Sequence, residues 1–439
     1  MSTRRLFESF DNLLDKLREG AEYEKMPPRH SSGEDAAFRV DDDALNAIDQ
    51  DDFGEPKRND LDGEEKDRNI PSVFYENQKL IQVHYPTQEQ LNGLVLVGIG
   101  GANNRIITPS FHLILARYAS VDFKYTRGYE KPYFYTRYKD VSSVLVVDNN
   151  IFKDEYKICT YNALVGSKSK GEPLLPHLCK LNDKPIRFVY SEDSLKSSPA
   201  AHSLGLGVKL QHTLELEAIN NLELREEDTV ICLKNGPYLS NSVVPSDAKE
   251  GLLKLLPWSE KRWCYIAVSN KISDSKVLIN TLSRIENEHL LEQYFPDQNV
   301  LTTTIKNFGT DLLLLRKILK PGQRTPLIQY VEKTREGYFD TPAMKKLLPL
   351  TCYYHKFNKP YNFIRIEIPT FMWEENRELA ELAISATIWQ LELGGDMPLV
   401  LKAAAQQADN SHDRNVIDSQ MKAAFEKKQL NLIEFLNIE

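Results

Sequence analysis

Residues 228–240 read D-T-V-I-C-L-K-N-G-P-Y-L-S. The β-branched, apolar run from Thr229 to Leu233 ends in a Gly236-Pro237 turn, a pattern that predicts a buried strand. In α/β sheets, ligands and reacting groups collect where strands end, because the chain turns there and side chains face open space. The residue at this exit is Asn235. A carboxylate there would point to a metal-dependent enzyme, whereas an amide keeps the oxygen and loses the charge.

Strands and helices alternate outward from this stretch. The segment Lys209–Leu224 predicts a helix with Leu210, Leu214, Ile219 and Leu222 apolar and Glu215 and Glu217 among them. Downstream come a capped helix from Ser246 to Leu256, a strand from Trp263 to Val268, Lys271, and a helix from Asp274 to Arg284. Upstream, Leu80–Tyr85 and Leu94–Gly98 read as strands, the second leading into Gly98-Ile99-Gly100-Gly101. Ile106–Tyr118 is expected to be a helix or a strand–helix transition, and Val141–Val147 a strand ending at Asp148. Near the C-terminus the pattern gives a strand at Tyr361–Ile368, a helix at Glu374–Leu391, and helical stretches at Pro398–Gln407 and Asn415–Lys428. Some strands follow one another without a helix between them, so the expected class is α/β with a mixed sheet flanked by helices.

Three regions differ in composition. Residues 1–26 are expected to form an amphipathic helix with Leu6, Phe7, Phe10, Leu13, Leu14 and Leu17 on one face. Residues 27–70 are acidic and poor in large apolar side chains, the signature of a disordered linker or a partner-binding segment. The globular domain is expected over 71–439. With 41% hydrophobic and 27% charged residues the chain is ordinary for a soluble protein. Its net charge of −8 argues against wholesale wrapping of nucleic acid and leaves room for a local basic groove. Its 5 cysteines show no CxxC spacing and no apolar run is long enough to span a bilayer, so a reducing, cytoplasmic setting without membrane is expected.

Several enzyme classes find no support. The glycine cluster lacks G-x-G-x-x-G spacing, because Asn103 stands at the sixth position. No G-K-[ST], H-E-x-x-H or G-x-S-x-G occurs, and the 9 histidines show no ligand spacing.

The order of the remaining pieces resembles the NurA family of DNA-end-processing nucleases. Its strand followed by V-D-G-S-x-R is matched by V-G-I-G-G-A-N-N-R-I-I-T-P, and its helical glutamate followed by L-D-G-P by T-L-E-L-E-A and then I-C-L-K-N-G-P-Y-L. Its strand ending in lysine is matched by C-Y-I-A-V-S-N-K-I. Its late R-x-E-x-P strand, helix and G-x-P segment are matched by I-R-I-E-I-P-T-F and G-G-D-M-P-L-V-L-K-A-A-A. The resemblance spans roughly residues 90–428. It implies an RNase H-like fold, a homodimer, DNA as ligand, and a HerA-type hexameric ATPase as partner.

The departures fall on the chemistry. By this resemblance the family's first aspartate maps onto Gly100, its second onto Asn235, and its late histidine onto Ala404, within Ala403–Ala405. Glu215 or Glu217 survives, with Lys271, and Asp148 is the best unassigned carboxylate. A two-metal phosphodiesterase needs several carboxylates to hold Mg²⁺ or Mn²⁺ and to activate water. The resemblance therefore implies a scaffold kept after its catalyst was lost. Arg105, Arg117, Lys124 and Arg127 are candidates for phosphate contacts in a DNA groove. Two alternatives stand beside this reading. One is a nuclease rebuilt around Asp148, Glu215, Glu217, Asp228 and Asp247, with Mn²⁺ or Mg²⁺ as cofactor. The other is an acidic α/β interaction scaffold unrelated to DNA, in which Glu215 and Glu217 are a helix's solvated side, Asp148 an Asx turn and the basic residues ordinary surface.

Overall fold

The computed structural model describes residues 72–76, 79–107, 112–127, 132–148, 158–160, 162–167, 187–189, 228–238, 251–270, 308–331, 339–357 and 362–409, most of 272–283, scattered positions within 208–222 and 291–305, and position 423. For 104–107, 112–117, 127 and 132–189 only the backbone is described. The N-terminal helix and acidic segment read from the sequence lie outside these residues.

The elements in chain order begin with β1 (Val73–Phe74), β2 (Ile81–Gln82) and α1 (Gln88–Leu91), which Thr87 and Gln90 cap reciprocally. Three long strands follow: β3 (Val95–Ile107), β4 (His112–Arg127) and β5 (Pro132–Asp148). Then come β6 (Ile158–Thr160), β7 (Asn162–Ser167), β8 (Arg187–Val189), β9 (Val230–Asn235) and β10 (Trp263–Ser269). The chain continues through α2 (Val277–Leu282), α3 (Asp311–Ile318), β11 (Gln323–Arg324), β12 (Ile328–Gln329) and α4 (Pro342–Lys345). It closes with β13 (Pro349–His355), β14 (Phe363–Pro369), α5 (Thr370–Glu375), α6 (Arg377–Gly394) and α7 (Leu399–Ala408).

Twelve of the described strands form one mixed sheet, ordered β1-β12-β13-β14-β10-β9-β3-β4-β5-β7, with β11 pairing β13 and β2. Only β3, β9 and β10 run parallel to one another, and these three carry the most continuous apolar runs, as strands covered on both faces should. Val95–Val97, Val230–Leu233 and Cys264–Ala267 are all buried. The expected fold class, a mixed α/β sheet flanked by helices, is what the chain adopts.

Two sequence expectations are corrected. Residues 106–107 and 112–118, expected as a helix or a strand–helix transition, are strand: β3 runs through the glycine cluster to Ile107, and β4 pairs with it antiparallel from His112. The Leu- and Ala-rich stretch 113–119 has helical propensity, but pairing on both sides of β4 outweighs it. The helix expected over Glu374–Leu391 is two, α5 and α6. Asn376 leaves helical geometry at φ −146° and ψ 66°, and its side chain accepts the Leu379 N–H as the α6 cap.

The two faces of the sheet are covered differently. Helix α7 lies across β3 and β4, and α6 against β10. On the opposite face, Gln211 and Glu215 of the helical positions within 208–219 lie against Gly101 of β3 and Lys234 of β9, and α2 and α3 build a smaller core with Tyr353 and Phe363. Asp311 anchors that core. Its buried carboxylate accepts the Leu278 and Ile279 N–H groups at 3.2 and 2.9 Å and the hydroxyls of Ser275 and Tyr353, each at 2.7 Å.

Candidate functional site

Glycine spacing in β3 decides what sits on each face. Successive strand residues point to opposite faces. A Cβ built on Gly98 would fall 2.6 Å from the Val400 carbonyl carbon, and one on Gly100 would fall 2.6 Å from the Ala405 nitrogen and 2.9 Å from the Ala404 carbonyl carbon. These glycines let the α7 backbone rest directly on the strand. A Cβ on Gly101 points the other way, 2.5 Å from Gln211 Cγ and closer still to Glu215 Oε1.

The parallel register extends this assignment to β9. Ile99 pairs with Lys234, and Lys234 with Ala267. Ile99, Gly101, Lys234 and Ala267 therefore share the Glu215 face, while Gly98, Gly100 and Asn235 share the α7 face. The row continues across the sheet, because Ala267 pairs with Glu367 of β14 and Glu367 with Thr351 of β13.

At the exit of β9 this face holds a buried polar cluster. Glu215 and Lys234 are 1% and 2% exposed, and Lys234 Nζ lies 3.3 Å from Glu215 Oε2. The same ammonium donates to the Asn235 main-chain oxygen at 3.0 Å. His212 Nδ1 lies 3.1 Å from Glu215 Oε2, and Gln211 Nε2 donates to Oε1 at 3.0 Å. Asn103 in turn donates to Gln211 Oε1 at 2.8 Å. Burial alone would raise the Glu215 pKa, but the Lys234 charge, then the His212 and Gln211 contacts, outweigh it and hold the carboxyl at about 2. Glu215 is therefore an anion neutralised by a lysine.

A second acid lies along the same row. Glu367 Oε2 accepts the Tyr238 N–H at 2.8 Å and lies 3.4 Å from Arg365 Nε. Tyr238 and Tyr265 pack ring to ring at 5.8 Å, on the same side as Glu215. Burial pushes both phenols well above their ordinary range, helped for Tyr238 by Glu367.

Of the residues singled out in the sequence, Glu215 is at the centre of this cluster. Gly100 and Asn235 share the opposite face, so neither position faces Glu215; the strand positions on its own face are Ile99, Gly101 and Lys234. Ala404 touches Gly100 through the close approach of α7. Asp228 lies before β9, at the end opposite the cluster, and its Oδ1 accepts from Lys124 Nζ at 3.1 Å. That pairing also removes Lys124 from a free DNA groove. Asp148 ends β5 opposite His112, which pairs with Ile107. Along β3, Ile107 is about 26 Å beyond Ile99, too far for Asp148 to join Glu215 there. Arg105 pairs with Ile114 and Arg117 with Ala102, and Arg127 is at the far end of β4. Glu217, Asp247 and Lys271 lie outside the described residues.

Sequence reasoning passed over Lys234, His212, Gln211, Asn103 and Glu367. The signal for Lys234 was present: it is the last residue of the β9 run on the Glu215 face. Glu367 stood inside the R-x-E-x-P segment used only as a landmark.

The described residues do not by themselves fit a metal pair. Among the described residues no group of three or more His, Cys, Asp or Glu converges as a metal site. The central carboxylate among them, Glu215, is paired with the Lys234 ammonium. No helix among the described residues is long and apolar enough to cross a membrane.

No family model and no curated protein sequence matches the chain. Among solved structures, the crystal structure of the NurA nuclease from Sulfolobus solfataricus is similar over 97% of this chain and 98% of its own, at 11% identity and a TM-score of 0.36. That overlay is too loose to define a fold.

Proposed function

We propose that this chain is a NurA-like DNA-processing protein without a hydrolytic metal site, acting as a dimeric, DNA-guiding partner of a HerA-type hexameric translocase. The observation that carries the reading is the place of Glu215. It projects from the helical segment preceding β9 onto the exit of β9 and the neighbouring part of β3, where an RNase H-like site gathers its acids. The strand order β5-β4-β3-β9-β10 supports it, with an antiparallel meander followed by two strands parallel to β3, the arrangement of an RNase H-like sheet.

Catalysis in such a site requires several hard anionic oxygens around a divalent cation. Here the strand positions facing Glu215 are an isoleucine, a glycine and a lysine. DNA association would rest on phosphate contacts instead of a bound metal.

The test is fluorescence anisotropy with labelled single- and double-stranded DNA, in EDTA and in Mn²⁺, across a salt series. The reading predicts binding that weakens with salt and is unchanged by EDTA. Absence of binding to either DNA at low salt would overturn it and favour the acidic-scaffold alternative.

A further inference from the structure

We propose that Lys234 is a built-in cation: its ammonium occupies the charge position beside Glu215 that a divalent metal ion would otherwise fill. The inference concerns the cluster itself and holds whether or not the chain binds DNA.

Three observations converge on it. First, Lys234 Nζ is bracketed by two hard oxygen donors, Glu215 Oε2 at 3.3 Å and the Asn235 main-chain oxygen at 3.0 Å. Carboxylate and carbonyl oxygens are the donors that Mg²⁺ and Mn²⁺ take, and here a protein amine stands between them. Second, both partners are almost wholly buried. A carboxylate removed from water to that degree needs a compensating cation or must take up a proton. Third, space is closed on the side of β3. Any side chain larger than hydrogen at Gly101 would meet Glu215 and Gln211, so no further ligand can come from that position without displacing the acid it would assist. Beyond Lys234 the row passes through Ala267, whose methyl group offers no donor, before it reaches Glu367.

The ammonium has one property a metal lacks. It is covalently tethered, so its occupancy does not depend on metal concentration or chelators. Removing it would leave Glu215 buried and uncompensated, with Glu215 Oε2 and His212 Nδ1 available for a free cation.

The experiment compares thermal unfolding of wild type, Glu215→Gln, Lys234→Met and the double variant Glu215→Gln/Lys234→Met, each in EDTA and in excess Mn²⁺. Wild type should show no Mn²⁺ stabilisation beyond that of Glu215→Gln. Lys234→Met should lose on the order of 5 °C or more in Tm. Mn²⁺ should recover part of that loss in Lys234→Met and none in the double variant, and the double variant should melt above Lys234→Met in EDTA. A Glu215-dependent Mn²⁺ stabilisation of wild type would overturn the proposal, as would a Lys234→Met protein indifferent to Mn²⁺. If Lys234→Met does not fold, Mn²⁺ electron paramagnetic resonance on wild type and Glu215→Gln decides: a Glu215-dependent bound ion contradicts the proposal, and its absence supports it. Because the readout is stability and ion binding, failure here is distinguishable from failure of the DNA-binding reading.

Discussion

Gly100 and Ala404 meet backbone to backbone: a Cβ added to Gly100 would stand 2.9 Å from the Ala404 carbonyl carbon. The two positions at which the family resemblance expects an aspartate and a histidine are filled here by the smallest residues, and α7 has settled onto β3. With rigid backbone on both sides, Gly98→Ala and Gly100→Ala should each destabilise the fold by about 3 kcal/mol, the upper end of overpacking costs. Chemical denaturation checks this. A cost below about 1 kcal/mol for both would mean that α7 is not seated as described.

Glu215 gives a pH signature with a definite sign. Its carboxyl ordinarily titrates near 4.5 and is held at about 2 in the folded protein. The folded value is depressed, so the stabilisation is present above the unfolded value and is lost as pH falls through the window between the two. Among the described residues, the charged and titratable groups facing it are Lys234, His212 and, more weakly, Tyr265. Wild type should lose stability over that window faster than Glu215→Gln, measured by urea denaturation at successive pH values. Parallel curves would contradict the account.

Asp311 supports the smaller core through four accepted hydrogen bonds, two of them from the first turn of α2. Asp311→Ala leaves those N–H groups and two hydroxyls without their acceptor, and should cost about 3 kcal/mol or more. Hydrogen exchange should show the Leu278 and Ile279 amides losing protection first. Uniform loss across the sheet would mean that Asp311 is not a local anchor.

The buried pair of Arg324 and Glu76 joins the first described segment to the body through two guanidinium contacts of 2.6 Å. Replacing a bidentate guanidinium by an ammonium is not conservative. Arg324→Lys should cost about 1–3 kcal/mol and expose the β1 segment to limited proteolysis. Unchanged proteolysis would show that other contacts hold β1.

How much of this was legible beforehand can be judged from individual residues. The strand at 230–235, its turn at Gly236 and the mixed sheet followed from β-branched runs and turn residues, because those signals are local. The long β4 did not, since its Leu- and Ala-rich half is strand only through pairing with β3 and β5. The central glutamate was legible as a helical acid. Its surroundings were not, because they depend on which face each strand residue takes. Gly100 against Gly101, and Asn235 against Lys234, differ by one position, and a shift of one residue in a strand moves a side chain to the other face. Lys234 and Glu367 are 133 residues apart in sequence numbering and become neighbours in one row only through β10. No local pattern carries that relation.

The most direct measurement is a cleavage assay on single- and double-stranded DNA in excess Mn²⁺, with purified wild type beside Glu215→Ala. If Lys234 holds the charge position at Glu215, neither protein cuts and the two are indistinguishable. If wild type cuts and Glu215→Ala does not, a metal reaches Glu215 in spite of Lys234, and the account of this site is wrong.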